Sequence, residues 1–193
     1  MKLLIFGNCG CGKTYLANQL SLLTNIEVVN LDRIMWIPGT DLFRDSLDIE
    51  KDLQNIMKLD NYIIEGVWGK VMEFLITNDK IDLLVFLEVD INECTRNILG
   101  RISNEENGMI PYEERMKIVK YANNYYIKNL TTENIDSPLE LDLHKQFNYS
   151  FHKNIYDTFI PYNGKIYLQN RITINTFINT FLDKYPLNYI TNL

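Results

Sequence analysis

Short apolar runs recur along the chain, and the segments between them carry apolar residues every three or four positions. Residues 2–6 (Lys-Leu-Leu-Ile-Phe) read as a buried strand that enters a glycine-rich turn from Gly7 to Thr14. Leu16, Ala17, Leu20 and Leu23 then follow at helical spacing. Residues 27–31 predict a second strand ending at Asp32, Pro38-Gly39 marks a loop, and Ile49, Leu53, Ile56 and Met57 line one face of a helix. Residues 61–65 (Asn-Tyr-Ile-Ile-Glu) predict a third strand closed by Gly66, and residues 82–89 a fourth. Asp90 is placed to cap a helix through Arg101, with Ile91, Cys94, Ile98 and Ile102 on one face. A fifth strand falls at 165–169, and Ile174, Phe177, Ile178, Phe181, Leu182 and Tyr185 mark a final helix.

Strands that are apolar at nearly every position are strands covered on both faces. The alternation therefore predicts a three-layer α/β fold with a five-stranded parallel sheet. The stretch 103–160 breaks the rhythm: it is polar, rich in Tyr and Asn, and helical around 112–130. It reads as a lid-like helical insert within one domain spanning 1–193, or else as an added helical pair that only packs. A chain of 193 residues is of the right size for one such core.

Charge narrows the partners. The net charge is −6 and no run of Lys and Arg stands out, which argues against nucleic acid as the main partner. No apolar run is long enough to cross a bilayer, and the N-terminal run stops at Gly7, too soon for a signal peptide. A cytoplasmic location is the default expectation. Cys9, Cys11 and Cys94 make an odd count without framework spacing, so no disulfide scaffold is expected. His144 and His152 lack the helical spacing and the neighbouring cysteines of a metal site.

The sharpest signal is Gly7-Asn8-Cys9-Gly10-Cys11-Gly12-Lys13-Thr14, which satisfies G-x-x-x-x-G-K-[ST]. Glycines let the backbone curl until its N–H groups face one concavity, and the helix that follows adds its positive end. Lys13 is placed to reach the β- and γ-phosphates of ATP, and the Thr14 hydroxyl to ligate Mg²⁺. A preceding buried strand and a following amphipathic helix supply the context that the mechanism requires. Cys9 and Cys11 lie inside this loop, where backbone N–H groups could lower a thiol pKa and make oxidation a block to ATP binding. The plainer reading is that they are small side chains in a tight loop.

Further segments carry a family resemblance. Leu31-Asp32-Arg33-Ile34-Met35-Trp36-Ile37-Pro38-Gly39 resembles the LD-x-x-x-W-x-P-G segment of the topology-modulation proteins, adenylate-kinase-like P-loop proteins of bacteria. Tyr62-Ile63-Ile64-Glu65-Gly66-Val67-Trp68 is similar to their third strand. Asp82 to Leu87 with Cys94-Thr95-Arg96 through Arg101 resembles their fourth strand and arginine-bearing helix, and Leu168-Gln169-Asn170-Arg171 their last strand. The likeness covers roughly 1–101 and 165–184 and leaves the intervening stretch unmatched.

The resemblance implies kinase chemistry. Asp32 falls where shikimate- and gluconate-type kinases hold the acceptor, and a carboxylate there could take the proton of an attacking hydroxyl. Glu65 falls where adenylate kinases carry an acid on the magnesium hydration shell. Arg101, in Ile98-Leu99-Gly100-Arg101, resembles their I-V-G-R and is the candidate for γ-phosphate contact or transition-state stabilisation. Two departures stand out. The loop after Glu65-Gly66 lacks the phosphate-gripping arginine and reads Val67-Trp68-Gly69-Lys70, where Lys70 offers only a point charge. The adenine-stacking arginine would fall at Asn97. Arg33, Arg44 and Arg115 are further candidates for acceptor contacts, and Trp36 could wall a ring-shaped acceptor.

The expected function is transfer of the ATP γ-phosphate to a small acceptor, a nucleoside monophosphate first. A hydroxyl acceptor (nucleoside or shikimate-like) is the first alternative. A nucleotide-responsive binding protein with slow hydrolysis, acting on a partner or DNA, is the second. No N-K-x-D base-recognition motif for GTP is present.

Overall fold

Leucine, isoleucine and phenylalanine at successive positions can all be buried only if a strand is covered on both faces, and Lys2–Gly7 (β1) occupies the middle of the sheet. The computed structural model describes residues 1–40, 42–101, 103–104, 108–127 and 146–186. The other strands are β2 (Val28–Asn30), β3 (Tyr62–Gly66), β4 (Leu83–Leu87), the two-residue β5 (Ser103–Asn104) and β6 (Gly108–Met109), and β7 (Gly164–Leu168). The main sheet runs β2-β3-β1-β4-β7 with every pair parallel, while β5 and β6 form a separate antiparallel pair. β3 and β4 are buried at every position, and β2 and β7 are only partly covered, as edge strands are. The expected five-stranded parallel α/β fold is present.

The helices are α1 (Lys13–Thr24), α2 (Leu31–Met35), α3 (Ser46–Met57), α4 (Gly69–Asn78), α5 (Ile91–Gly100), α6 (Tyr112–Asn124), α7 (Tyr149–Thr158) and α8 (Arg171–Lys184). Period-two alternation along the strands sorts the core into two layers. Leu3, Ile5, Ile63, Leu83, Val85 and Leu87 pack with Leu16 and Leu20 of α1 and Phe177 and Phe181 of α8. Leu4, Phe6, Tyr62, Ile64, Leu84 and Phe86 pack with Leu31, Leu53, Met72, Leu75 and Ile155 on the opposite side. Each such buried side chain contributes about 1.5–3 kcal/mol relative to exposure, so these layers outweigh any single polar contact. The caps follow the sequence: Asp90 accepts the Asn92 N–H at 2.9 Å, and Asn170 and Thr173 form a reciprocal capping box at the start of α8.

Two elements differ from the expectation. β2 stops at Asn30, whose side chain accepts the Asp32 N–H at 2.8 Å and turns the chain into α2. Asp32 therefore lies in the first turn of a helix. α4 was not expected, although Val71, Met72 and Leu75 carry its spacing. Within 103–160, the described helices are packed: α6 sets Val119 and Ala122 against Ile98 of α5, and α7 buries His152 and Ile155 beneath the sheet. Residues 128–145 and Ile102 lie outside the described residues.

His152 ties these elements together. The Val67 carbonyl can only accept, so the ring's Nε2–H donates to it (2.9 Å), and Nδ1 accepts from the Tyr125 hydroxyl (2.8 Å). Phe6 meets the imidazole edge-on. Burial pushes the His152 pKa down to about 3; the Val67 hydrogen bond opposes this and the Lys13 charge adds to it. The ring is thus neutral when folded, but in the unfolded chain it gains a proton below about 6.5. Its contribution is present above that pH and is lost as pH falls toward 3, at about 1.4 kcal/mol per pH unit. Denaturant titrations between pH 7 and pH 4 are expected to show that slope diminished by roughly this amount in His152→Gln. An unchanged slope would mean that the ring is not held neutral.

Candidate active site

The loop from Gly7 to Thr14 leaves the end of β1 and is pressed from outside. A Cβ on Gly7 (φ 150°) would sit 2.3 Å from the Leu87 carbonyl oxygen, and one on Gly10 (φ 76°) 2.4 Å from that of Cys94. Only glycine fits either place. Side-chain amides fasten the loop to its surroundings. Asn97 donates to the Gly10 carbonyl at 2.9 Å, and Asn8 donates to the Ala122 carbonyl at 2.9 Å while accepting the Cys9 N–H at 2.7 Å. Asn97, at the position where the resemblance places a base-stacking arginine, serves here as a strut for the loop.

Inside the loop, the Lys13 ammonium donates to the Asn8 carbonyl at 2.8 Å and is buried. Burial acts to lower its pKa, but the thiols of Cys11 and Cys9 and the carboxylates of Glu65 and Asp32 outweigh it, and the net shift is upward. Lys13 is a fixed cation. In the first turn of α1, the Thr14 hydroxyl donates to Glu65 Oε1 at 3.0 Å, and the Asn30 amide donates to the same oxygen at 2.6 Å. Glu65 lies at the carboxyl end of β3, in the strand position whose side chain faces α1. Burial raises its pKa, opposed by Lys13 and by the Thr14 hydrogen bond and assisted by Asp32.

Asn30 reaches both acids, since its amide N–H goes to Glu65 and its oxygen caps Asp32. Asp32 is exposed, and its Oδ1 accepts the Trp68 indole N–H at 2.6 Å. Trp68 is fully buried within a ring cluster. Trp36 and Phe43 stack with centroids 4.2 Å apart, and Trp68 meets Trp36, Phe43 and Phe147 edge-on at 5.5, 5.6 and 4.6 Å. The backbone pairing of Trp36 with Phe43 sets the stacked pair. Arg101 caps the C-terminal end of α5, exposed, and its charge acts on Glu65 and on the loop thiols.

The structure therefore gathers Lys13, Thr14, Glu65 and Asp32 and sets Arg101 at the margin. Asn30, Asn97 and Trp68 complete the site, and no site role for them was read from the sequence; Asn8, expected within the phosphate loop, also anchors that loop to Ala122. Of the other arginines, Arg44 pairs with Asp52 at 2.8 Å and donates to the Ile34 carbonyl, and Arg115 donates to the Leu99 carbonyl at 2.6 Å. Arg33 and Lys70 are exposed. The donor chemistry fits the two expected ligands. Thr14 and Glu65 offer paired hard oxygens suited to Mg²⁺, which binds few protein groups and takes the rest from water and phosphate. The glycine loop over Lys13 fits a polyphosphate.

Of the two readings of the loop thiols, the lowered pKa is the one that burial opposes. Burial pushes Cys9 and Cys11 up, with Lys13 opposing, and Cys94 up to about 12. Desolvation outweighs the helix N-terminus because the loop is packed under α5 and α6.

No family model and no curated protein matches the chain. Among solved structures, it is similar to a deoxyadenosine kinase from M. mycoides with bound dATP (15% identity, 96% of this chain and 99% of that one, TM-score 0.52). It is also similar to a sugar kinase from Janibacter sp. HTCC2649 (14%, 98% and 96%, TM-score 0.48) and a shikimate kinase from Bacteroides thetaiotaomicron (17%, 95% and 96%, TM-score 0.46). At 15% identity the likeness to the deoxyadenosine kinase establishes a shared α/β fold with a five-stranded parallel sheet. No helix among the described residues is long and apolar enough to cross a membrane.

The raised thiol pKa values have a direct readout. At pH 7.5 the native chain is expected to react with an aromatic disulfide reagent at least about tenfold more slowly than the unfolded chain, since the thiolate is the reactive form. Equal rates would show that the loop thiols are neither desolvated nor shielded.

Proposed function

We propose that the chain is an ATP-dependent phosphotransferase whose acceptor is a hydroxyl group on a small molecule. The carrying observation is that Asp32 and Glu65 are fixed side by side through Asn30, next to Lys13 and Thr14, with one Asp32 oxygen held by Trp68. Lys13 and the loop amides hold the phosphates. Mg²⁺, when bound at Thr14 and Glu65, supplies charge neutralisation across the β- and γ-phosphates. The acceptor hydroxyl yields its proton to Asp32 as its oxygen bonds to the γ-phosphorus. The bond from that phosphorus to the β–γ bridging oxygen breaks, and ADP departs. Arg101, at the margin, meets the charge that develops on the transferred group.

The choice of hydroxyl over nucleoside monophosphate rests on the acceptor side. A phosphate acceptor carries negative charge and calls for a guanidinium fork. Here the position after Glu65-Gly66 is built from Val67 and Trp68, and Arg44 is taken up by Asp52 and the Ile34 carbonyl. The deoxyadenosine kinase that shares the fold also acts, by its name, on a small molecule.

ADP release with Mg-ATP is to be measured across deoxynucleosides, shikimate, gluconate and nucleoside monophosphates. A hydroxyl compound is expected to stimulate release, Lys13→Ala to abolish it, and Asp32→Asn to lower kcat by about 10²–10⁴-fold. Stimulation by monophosphates alone would return the reading to a nucleotide kinase. ATP binding without stimulation by any acceptor would favour a nucleotide-responsive binding protein.

A further inference from the structure

The loop after β3 departs from the resembling kinases by losing an arginine, and the same departure supplies Trp68. Its indole N–H lies 2.6 Å from Asp32 Oδ1, while its ring is fully buried among Trp36, Phe43 and Phe147. An indole nitrogen donates only and has a single direction in which to do so. A buried ring wedged edge-on against three others cannot turn to follow a moving carboxylate. The Asp32 backbone is fixed as well, by Asn30 at the start of α2. Main chain and one carboxylate oxygen are thus held, and among the described residues no hydrogen bond is made to Oδ2.

We propose that Trp68 is a positioning residue that locks the Asp32 carboxylate so that Oδ2 alone is presented to the acceptor hydroxyl. This rests on the hydroxyl-kinase reading. The indole hydrogen bond is charge-assisted, which makes it stronger than a neutral one and lets it set the plane of the carboxylate before the acceptor arrives. A carboxylate free to rotate about its side-chain torsions would spend most of its time with neither oxygen on the line of proton transfer. Holding it converts that search into a fixed geometry, which acts on the chemical step rather than on binding. The exposed side of Asp32 remains open to the acceptor. Trp68 itself does not touch the reacting atoms.

The chain has two tryptophans, so its indole ¹H–¹⁵N spectrum holds two cross-peaks. Trp36→Phe assigns them. In Asp32→Ala the Trp68 peak is expected to move upfield with loss of its acceptor, while the backbone spectrum away from α2 stays in place. A Trp68 peak that does not move overturns the contact, whatever the enzyme's activity. Trp68→Phe keeps a ring and drops the N–H. With the best hydroxyl acceptor of the panel above, it is expected to lower kcat about 10–100-fold, with KM for ATP and acceptor within about threefold. Benzothienylalanine at position 68, which keeps the indole shape without the N–H, is expected to do the same if the phenylalanine variant folds poorly. In an Asp32→Asn background the Trp68→Phe change is expected to cost less than threefold, because the group it positions no longer takes a proton. A loss confined to KM, or an equal loss in both backgrounds, overturns the positioning role. If no hydroxyl compound is turned over while the indole peak still shifts in Asp32→Ala, the contact stands, and the hydroxyl-kinase reading falls together with the role built on it.

Discussion

The molecule is organised by the lack of room around its phosphate loop. Gly7 abuts the end of β4 and Gly10 abuts α5, each so closely that a single added carbon would meet a backbone carbonyl. Because backbone carbonyls at the end of a buried strand and within a helix cannot retreat, the loop has one available path. That path sets the start of α1, and with it the positions of Lys13 and Thr14. The sheet register carries the constraint outward. β1 pairs residue for residue with β3, Ile5 opposite Glu65, so the acid arrives at the height of the loop. β2 pairs Asn30 with the same Glu65, which brings the second acid within reach.

Around this centre the polar contacts are amide side chains more than ion pairs. Asn8 and Asn30 each bridge two groups, and Asn97 ties α5 to the loop at the Gly10 carbonyl. An amide can donate and accept at once, and it adds no charge to a site already crowded with Lys13, Glu65 and Asp32. The result is a centre in which Lys13, Glu65 and Asp32 are met by neutral donors and acceptors. His152 performs a similar neutral bridging task deeper in the fold, joining Tyr125 to the loop that follows β3.

Much of this was legible in the sequence, for identifiable reasons. Strands such as Leu83–Leu87 are apolar at every residue, and the glycine spacing from Gly7 to Gly12 has few other uses. Glu65 stands near the carboxyl end of β3, and Lys13, Thr14 and Asp32 in the first turns of the helices reached from β1 and β2, the side of an α/β sheet that takes ligands. The contacts of the amides were not legible, Asn8 in the phosphate loop included, because a lone asparagine has no periodicity and its partners lie far along the chain: Asn8 reaches Ala122, and Asn97 reaches Gly10. Trp68 was seen only as a departure from an expected arginine, since its partner Asp32 is brought beside it by the sheet. The less favoured reading of the loop thiols, a lowered pKa, fails for the same kind of reason. Sequence showed a helix N-terminus beside Cys9 and Cys11 but not the weight of α5 and α6 above them.

The two tryptophans of this chain stand 5.5 Å apart in one cluster. All of its indole emission therefore originates in a single place, beside Asp32. Optical signals taken as reports on the whole molecule would in fact follow this corner. Emission could change while the β1-β4 core stayed closed, and core loosening would pass unseen until the rings parted. Fluorescence from this protein is a local instrument, already installed where the smallest rearrangements matter most.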